Sequence, residues 1–123
     1  MADQIIKFTD NVVGGLEALR VKPKFHEDSS MFYPGAPDEG IRARCEAAIN
    51  SLIGKLLESA PDGMSKEHVL LAFSSALTQL DHDDSEEKDR AASYVECIMD
   101  ILGIESSDGL LNRWRYGFDP NEP

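Results

Sequence analysis

Residues 38–60 read DEGIRARCEAAINSLIGKLLESA, and this stretch decides the fold. Ile41, Cys45, Ala48, Ile49, Leu52, Ile53, Leu56 and Leu57 recur at three- and four-residue spacing. Such a pattern predicts a helix from Pro37 or Asp38 to Ala60 with one wide apolar face. Asp38 and Glu39 suit the positive end of its dipole, and Pro61, Asp62 and Gly63 make a turn after it. Arg42 and Arg44 fall on the opposite, solvated side, where surface charge balance is their expected role. A helix this apolar on one side must be covered by other elements.

The flanking sequence supplies them. Ser65 is a good N-cap for a helix to Leu80 that buries Val69, Leu70, Phe73, Ala76, Leu77 and Leu80. An acidic turn follows, and Asp84 with Glu87 resembles a capping box for a helix ending at Leu102. Ala91, Tyr94, Val95, Ile98, Ile101 and Leu102 hold its apolar stripe. Gly103 fits the left-handed position after that helix, and Ile104 the apolar contact that accompanies it. Ser106 or Ser107 caps a last short helix through Leu110, Leu111 and Trp114, ended by Gly117.

On the amino-terminal side, Ile5, Phe8, Val12, Val13, Leu16 and Leu19 predict a helix from Ala2 to Arg20. Gly14 and Gly15 inside it point to a kink or a close helix crossing. From Val21 to Pro37, four interruptions at Pro23, Pro34, Gly35 and Pro37 exclude a helix. Phe25, Met31, Phe32 and Tyr33 lie in that long loop. They are expected to anchor it across the helices, with a binding surface as the alternative. The expected fold is all-α, a four- or five-helix bundle with one long aromatic-containing loop after the first helix. Residues 1–118 form a single domain in this reading, and 119–123 a frayed polar tail.

Composition narrows the functional classes. The chain has 123 residues, is 41% hydrophobic and carries a net charge of -11, which fits a soluble globular domain. The charge is uneven: residues 1–60 carry seven basic and nine acidic side chains, residues 61–123 five and fourteen. Such a surface repels phosphates, so neither nucleic acid nor an anionic membrane is an expected partner. A basic protein or a divalent cation would be drawn to the second half. Met1 to Asp10 has neither a basic nor an apolar leader region, and no run of about eighteen apolar residues occurs, so the expected location is the cytoplasm. Cys45 and Cys97 each fall on an apolar helical face and are expected to be buried free thiols.

No motif marks a chemistry. GxSxG, GxxxxGK[ST] and GxGxxG are absent, as is HExxH, and no residue stands out as catalytic. His26, His68 and His82 are unpaired at helical spacing, so neither a metal nor a cofactor is expected. The turn from Asp81 to Asp89 holds six acids. An EF-hand started at Asp81 has Glu86 where Gly is required and Ala92 where a bidentate Glu is required, so it fails. The segment around Trp114 is the basic-aromatic island of an acidic half, and Trp, Tyr and Arg are the types enriched at interface hot spots. The alternative is that Trp114 closes the core. The candidate partner-binding residues are therefore Asp81, Asp83, Asp84, Glu86 and Glu87, with Arg113, Trp114, Arg115 and Tyr116.

The stretch from Ile101 to Phe118, ILGIESSDGLLNRWRYGF, resembles a bacterial domain-of-unknown-function family of small acidic proteins. The resemblance implies a small helical domain of bacterial origin. It brings no activity, cofactor or catalytic residue to any position here. The leading reading is a non-enzymatic, cytoplasmic protein–protein interaction module for a basic partner, in the manner of an immunity protein or a small chaperone. The alternatives are a small metal-dependent enzyme or regulator, and a structural homo-oligomer.

Overall fold

The computed structural model describes residues 5–59, 62–80 and 85–116. Five helices account for most of them: α1 (Asp10–Val21), α2 (Glu39–Glu58), α3 (Lys66–Thr78), α4 (Ser85–Leu102) and α5 (Leu110–Tyr116). Two short strands, β1 (Ile5–Ile6) and β2 (Met64–Ser65), pair antiparallel with Ile5 opposite Ser65. The all-α expectation holds apart from this small ribbon.

Helix α2 is the centre of the bundle. Cys45, Ala48, Ile49, Leu52, Ile53 and Leu56 are buried, and α1, α3 and α4 all pack against the helix. Its start is fixed by Asp38, whose Oδ1 accepts from the Ile41 N–H at 2.8 Å. Ser65 caps α3 as expected, accepting from His68 N–H at 3.2 Å. Helix α4 ends in a Schellman motif: Gly103 has φ +75°, and Ile104 N–H donates to the Met99 carbonyl at 2.9 Å. The apolar contact that goes with the motif is made, since Ile104 is buried in the core. The capping box at Asp84, the end at Gly117 and the tail 119–123 lie outside the described residues.

Three expectations need correction. The first helix begins at Asp10 rather than Ala2, because Thr9 caps it, its Oγ1 accepting from Val12 N–H at 3.3 Å. Ile5 and Ile6 instead alternate outward and inward as a strand, while Ala2 to Gln4 lie outside the described residues. Cys45 is buried, but Cys97 is exposed. One residue past Glu96, Cys97 sits on the flank of α4 away from Val95 and Ile98, beside Gly15 and Ala18 of α1. Arg42 is not merely solvated: its side chain is 15% exposed and bridges Glu39 and Glu46. Of the glycine pair, Gly15 marks a close crossing, since an added Cβ would lie 3.1 Å from Ile101 Cγ2.

The loop after α1 is bolted at its start. Lys24 is fully buried, and its ammonium donates to the carbonyls of Leu19, Arg20 and Lys22 at 2.6, 3.1 and 2.9 Å. It thus satisfies orphan acceptors at the negative end of α1. Burial pushes its pKa below the ordinary lysine value, against the opposing pull of Glu46. Glu46 also accepts from the Lys24 backbone N–H at 2.8 Å, tying the loop to α2.

The ribbon depends on Gly63. Its φ is +76°, and a Cβ there would stand 2.7 Å from the Ile6 carbonyl oxygen. We expect Gly63→Ala to destabilise the fold by about 1–3 kcal/mol. Gly14→Ala, with nothing within 4 Å of the added Cβ, should stabilise it by about 0.5–1 kcal/mol. Urea unfolding of the two variants, compared at constant slope, tests both signs.

Candidate functional site

Helix α4 presents two unlike faces, and its spacing sets both. Glu87, Arg90 and Tyr94, at i, i+3 and i+7, lie on one side and hold the long loop. Tyr33 donates its hydroxyl to Glu87 Oε2 at 2.9 Å. Arg90 Nη2 donates to Asp28 Oδ2 at 3.0 Å, and its guanidinium lies 5.0 and 5.3 Å from the ring centroids of Tyr33 and Tyr94. Tyr94 Oη accepts from the Phe25 N–H at 3.0 Å, and the two rings meet edge to face at 5.1 Å. The loop aromatics therefore anchor it in part: Phe25 and Tyr33 are buried, whereas Phe32 is exposed.

Glu87 is thereby removed from the candidate surface. It is 2% exposed and serves the interior, although it belongs to the acidic run from Asp81 to Asp89. A run of charges does not reveal which member points inward; the 87–90–94 spacing is the signal that would have. Burial pushes the Tyr33 hydroxyl pKa well above its ordinary value, and the hydrogen bond to Glu87 and its charge push the same way.

A second face of α4, about 110° around the axis from the first, carries Glu86, Asp89, Ser93, Glu96 and Asp100. At about 100° per residue these five fall within an arc of roughly 80°. This ridge opposes the buried stripe of Ala91, Val95, Ile98 and Leu102. It joins two clefts. One, of about 190 Å³, is lined by Phe32, Tyr33 and Pro34 from the loop and by Glu86, Asp89, Arg90 and Ser93. The other, of about 680 Å³, lies between the end of α4 and α5; Glu96, Asp100, Glu105 and Asp108 line it, with no lysine or arginine among the described lining residues. Asp108 also pairs with Lys66 at 3.3 Å.

Of the other candidates, Asp81, Asp83 and Asp84 lie outside the described residues, and Glu86 is exposed on the ridge. Trp114 is half-buried, as the core-closing alternative has it. Its Nε1 donates to the Lys88 carbonyl at 3.2 Å, and the Lys88 ammonium sits 4.4 Å from the ring centroid. Arg113 is exposed and donates from Nη2 to the Asp108 carbonyl at 3.2 Å. Arg115 and Tyr116 belong to α5, and their side chains lie outside the described residues. Trp114 thus brings the aromatic segment beside the first turns of α4. Among the described residues no group of three or more His, Cys, Asp or Glu is arranged to hold a metal, and no helix is long and apolar enough to cross a membrane.

Two predictions concern the loop anchor. Tyr33→Phe leaves the buried Glu87 carboxylate one donor short and should cost about 1–3 kcal/mol of stability. A double-mutant cycle with Glu87→Gln should return a coupling of about 0.5–3 kcal/mol. The second concerns pH. Hydrogen bonds from Ser30 and Arg90 hold the Asp28 pKa below 3.8, and the Arg42 hydrogen bonds hold that of Glu39 below 4.5. The unfolded chain binds more protons in that range, so stability is present above about pH 4.5 and is lost as pH falls through the folded values. Thermal melting against pH should show this acid limb, and Asp28→Asn should flatten it.

Comparison with known proteins agrees with this architecture. The fold superposes on the crystal structure of a DUF3571 family protein from Acinetobacter baumannii with a TM-score of 0.77 and 26% identity, covering 86% of this chain and 89% of that one. No curated protein matches the chain significantly. The profile of the domain of unknown function DUF4844 matches residues 7–119. With nearly its whole length matched, the chain belongs to the DUF4844 family of domains of unknown function.

Proposed function

We propose that this protein is a non-enzymatic protein–protein interaction module of the bacterial cytoplasm, which binds a basic protein along the outer face of α4. One observation carries the reading. The ridge presents Glu86, Asp89, Glu96 and Asp100, while both cations of α4 are engaged by other side chains, Lys88 over Trp114 and Arg90 on Asp28. A net charge of -11 would spread freely over a surface under no constraint; here one helix face collects four acids, and Arg90 at its edge is paired with Asp28. Charge sorted in this way accelerates encounter with a basic partner and sets its orientation. It disfavours nucleic acid and anionic membranes for the same reason. The role is that of an immunity protein or a small chaperone, by analogy of size and charge alone.

Neutralising the ridge tests the reading. We expect the variant carrying Glu86→Gln, Asp89→Asn and Asp100→Asn to keep its melting temperature. It should bind the basic protein captured by the natural chain at least about tenfold more weakly, mainly through slower association. The natural chain should itself lose affinity as salt rises. Capture that is indifferent to both salt and the three substitutions would overturn the proposal.

A further inference from the structure

We infer that Phe32 is the apolar anchor of this surface, a fixed knob that enters a hydrophobic pocket on the basic partner. The inference rests on the interaction reading above and adds the contact that would give it affinity.

Phe32 is 94% exposed, the most exposed of the large apolar side chains described. Its backbone is left-handed, with φ 55° and ψ 29°, at the turn that closes the Ser29–Met31 helical turn. That position favours glycine or asparagine, because a Cβ there crowds the carbonyl. Phe25 shares the strain, with φ 64°, but its ring is buried against Tyr94. Phe32 has no such return within the chain: it is strained and its ring is left in water. Strained and exposed positions of this kind mark sites where something other than stability is served.

The knob is also held still. Asp28 and Tyr33 exchange backbone hydrogen bonds at 2.8 and 2.9 Å, closing a hairpin around residues 29–32. Asp28 is fixed by Ser30 at 2.6 Å and Arg90 at 3.0 Å, and Tyr33 by Glu87. These bonds hold the backbone that carries the ring, so the Cα–Cβ bond of Phe32 leaves the surface at a fixed place and direction. Rigidity lowers the entropy lost on binding, and a rotamer-poor aromatic on a rigid mount is what interface hot spots are made of.

Charge identifies the occupant. Phe32 shares its cleft with Glu86 and Asp89, the first two acids of the ridge. Arg90 lines the same cleft but is paired with Asp28, so the two acids favour a pocket rimmed by lysine or arginine. A second copy would bring two chains of charge -11 together at their acidic faces, and an anionic bilayer is repelled likewise.

The test combines Phe32→Asn, the ridge-neutralised chain and a photoreactive benzoylphenylalanine in place of Phe32, each used as full-length protein in the source organism's lysate. Phe32→Asn should melt at the same or a higher temperature, since asparagine suits the turn. It should nevertheless weaken partner binding by about thirtyfold or more, and Phe32→Trp should restore most of it. The photoreactive chain should cross-link to apolar residues of a basic protein. If Phe32→Asn binds as tightly as the natural chain while the neutralised ridge does not, the anchor is wrong and the interaction reading survives. If both variants bind normally, or no protein is cross-linked, both fail. A lowered melting temperature for Phe32→Asn, or cross-linking to a second copy or to lipid, also overturns the anchor.

Discussion

Glu87 accepts a hydrogen bond from the Tyr33 hydroxyl, buried between α4 and the long loop, and much else follows from that placement. An ionisable group can stay out of water only if partners satisfy it. Tyr33 is one such partner, and docking it fixes the loop's far end, while Lys24 and Glu46 fix its start. Between these two points the chain has little freedom. Phe25 and Tyr94 fill the space with apolar contact, and Arg90 is clamped between two rings and Asp28. The loop is long for a compact domain, yet it is built like an element of the core.

The same helix turns its other side outward with opposite chemistry. Residue by residue, α4 alternates between members that serve the interior and members that face solvent, and the helical period keeps the two sets apart. Glu86 and Glu87 are adjacent in sequence and about 100° apart around the axis. One lines an open cleft and the other is buried. The fold of α4 and the surface it offers are therefore one pattern. A change that rotated the helix by half a turn, about two residues, would bury the acids and expose the apolar stripe.

Much of this architecture was legible in the amino-acid sequence, for physical reasons that differ by element. Helices α2, α3 and α4 announce themselves because their apolar periodicity is long and their ends carry Asp38, Ser65 and Gly103, each acting at its expected place. The ribbon was not legible, since strands of two residues leave no period to read and Ile5 and Ile6 fit a helical pattern equally well. Cys97 was misplaced because a stripe's edge is set by which neighbour covers it, and α1 leaves that edge open. For the candidate surface, composition located the acidic half but not its inward member. Nothing in the run Met31-Phe32-Tyr33 distinguishes the ring that is buried from the one that is not. That distinction is made by a backbone turn, and turns depend on contacts far away in the chain.

The pairing of β1 with β2 has a consequence for how the chain assembles. Ile5 and Ser65 are neighbours in the ribbon although all of α1, the long loop and α2 lie between them. Closing a loop of that length costs roughly 4 kcal/mol of chain entropy by the logarithmic law, a cost that two pairs of residues in a ribbon cannot meet unaided. Helices α1 and α2, by contrast, are consecutive and in contact, and their packing already brings the two ends of that loop together. The amino-terminal strand is thus a late arrival. On a ribosome, Ile5 and Ile6 must wait for Met64 and Ser65 before this pairing can form.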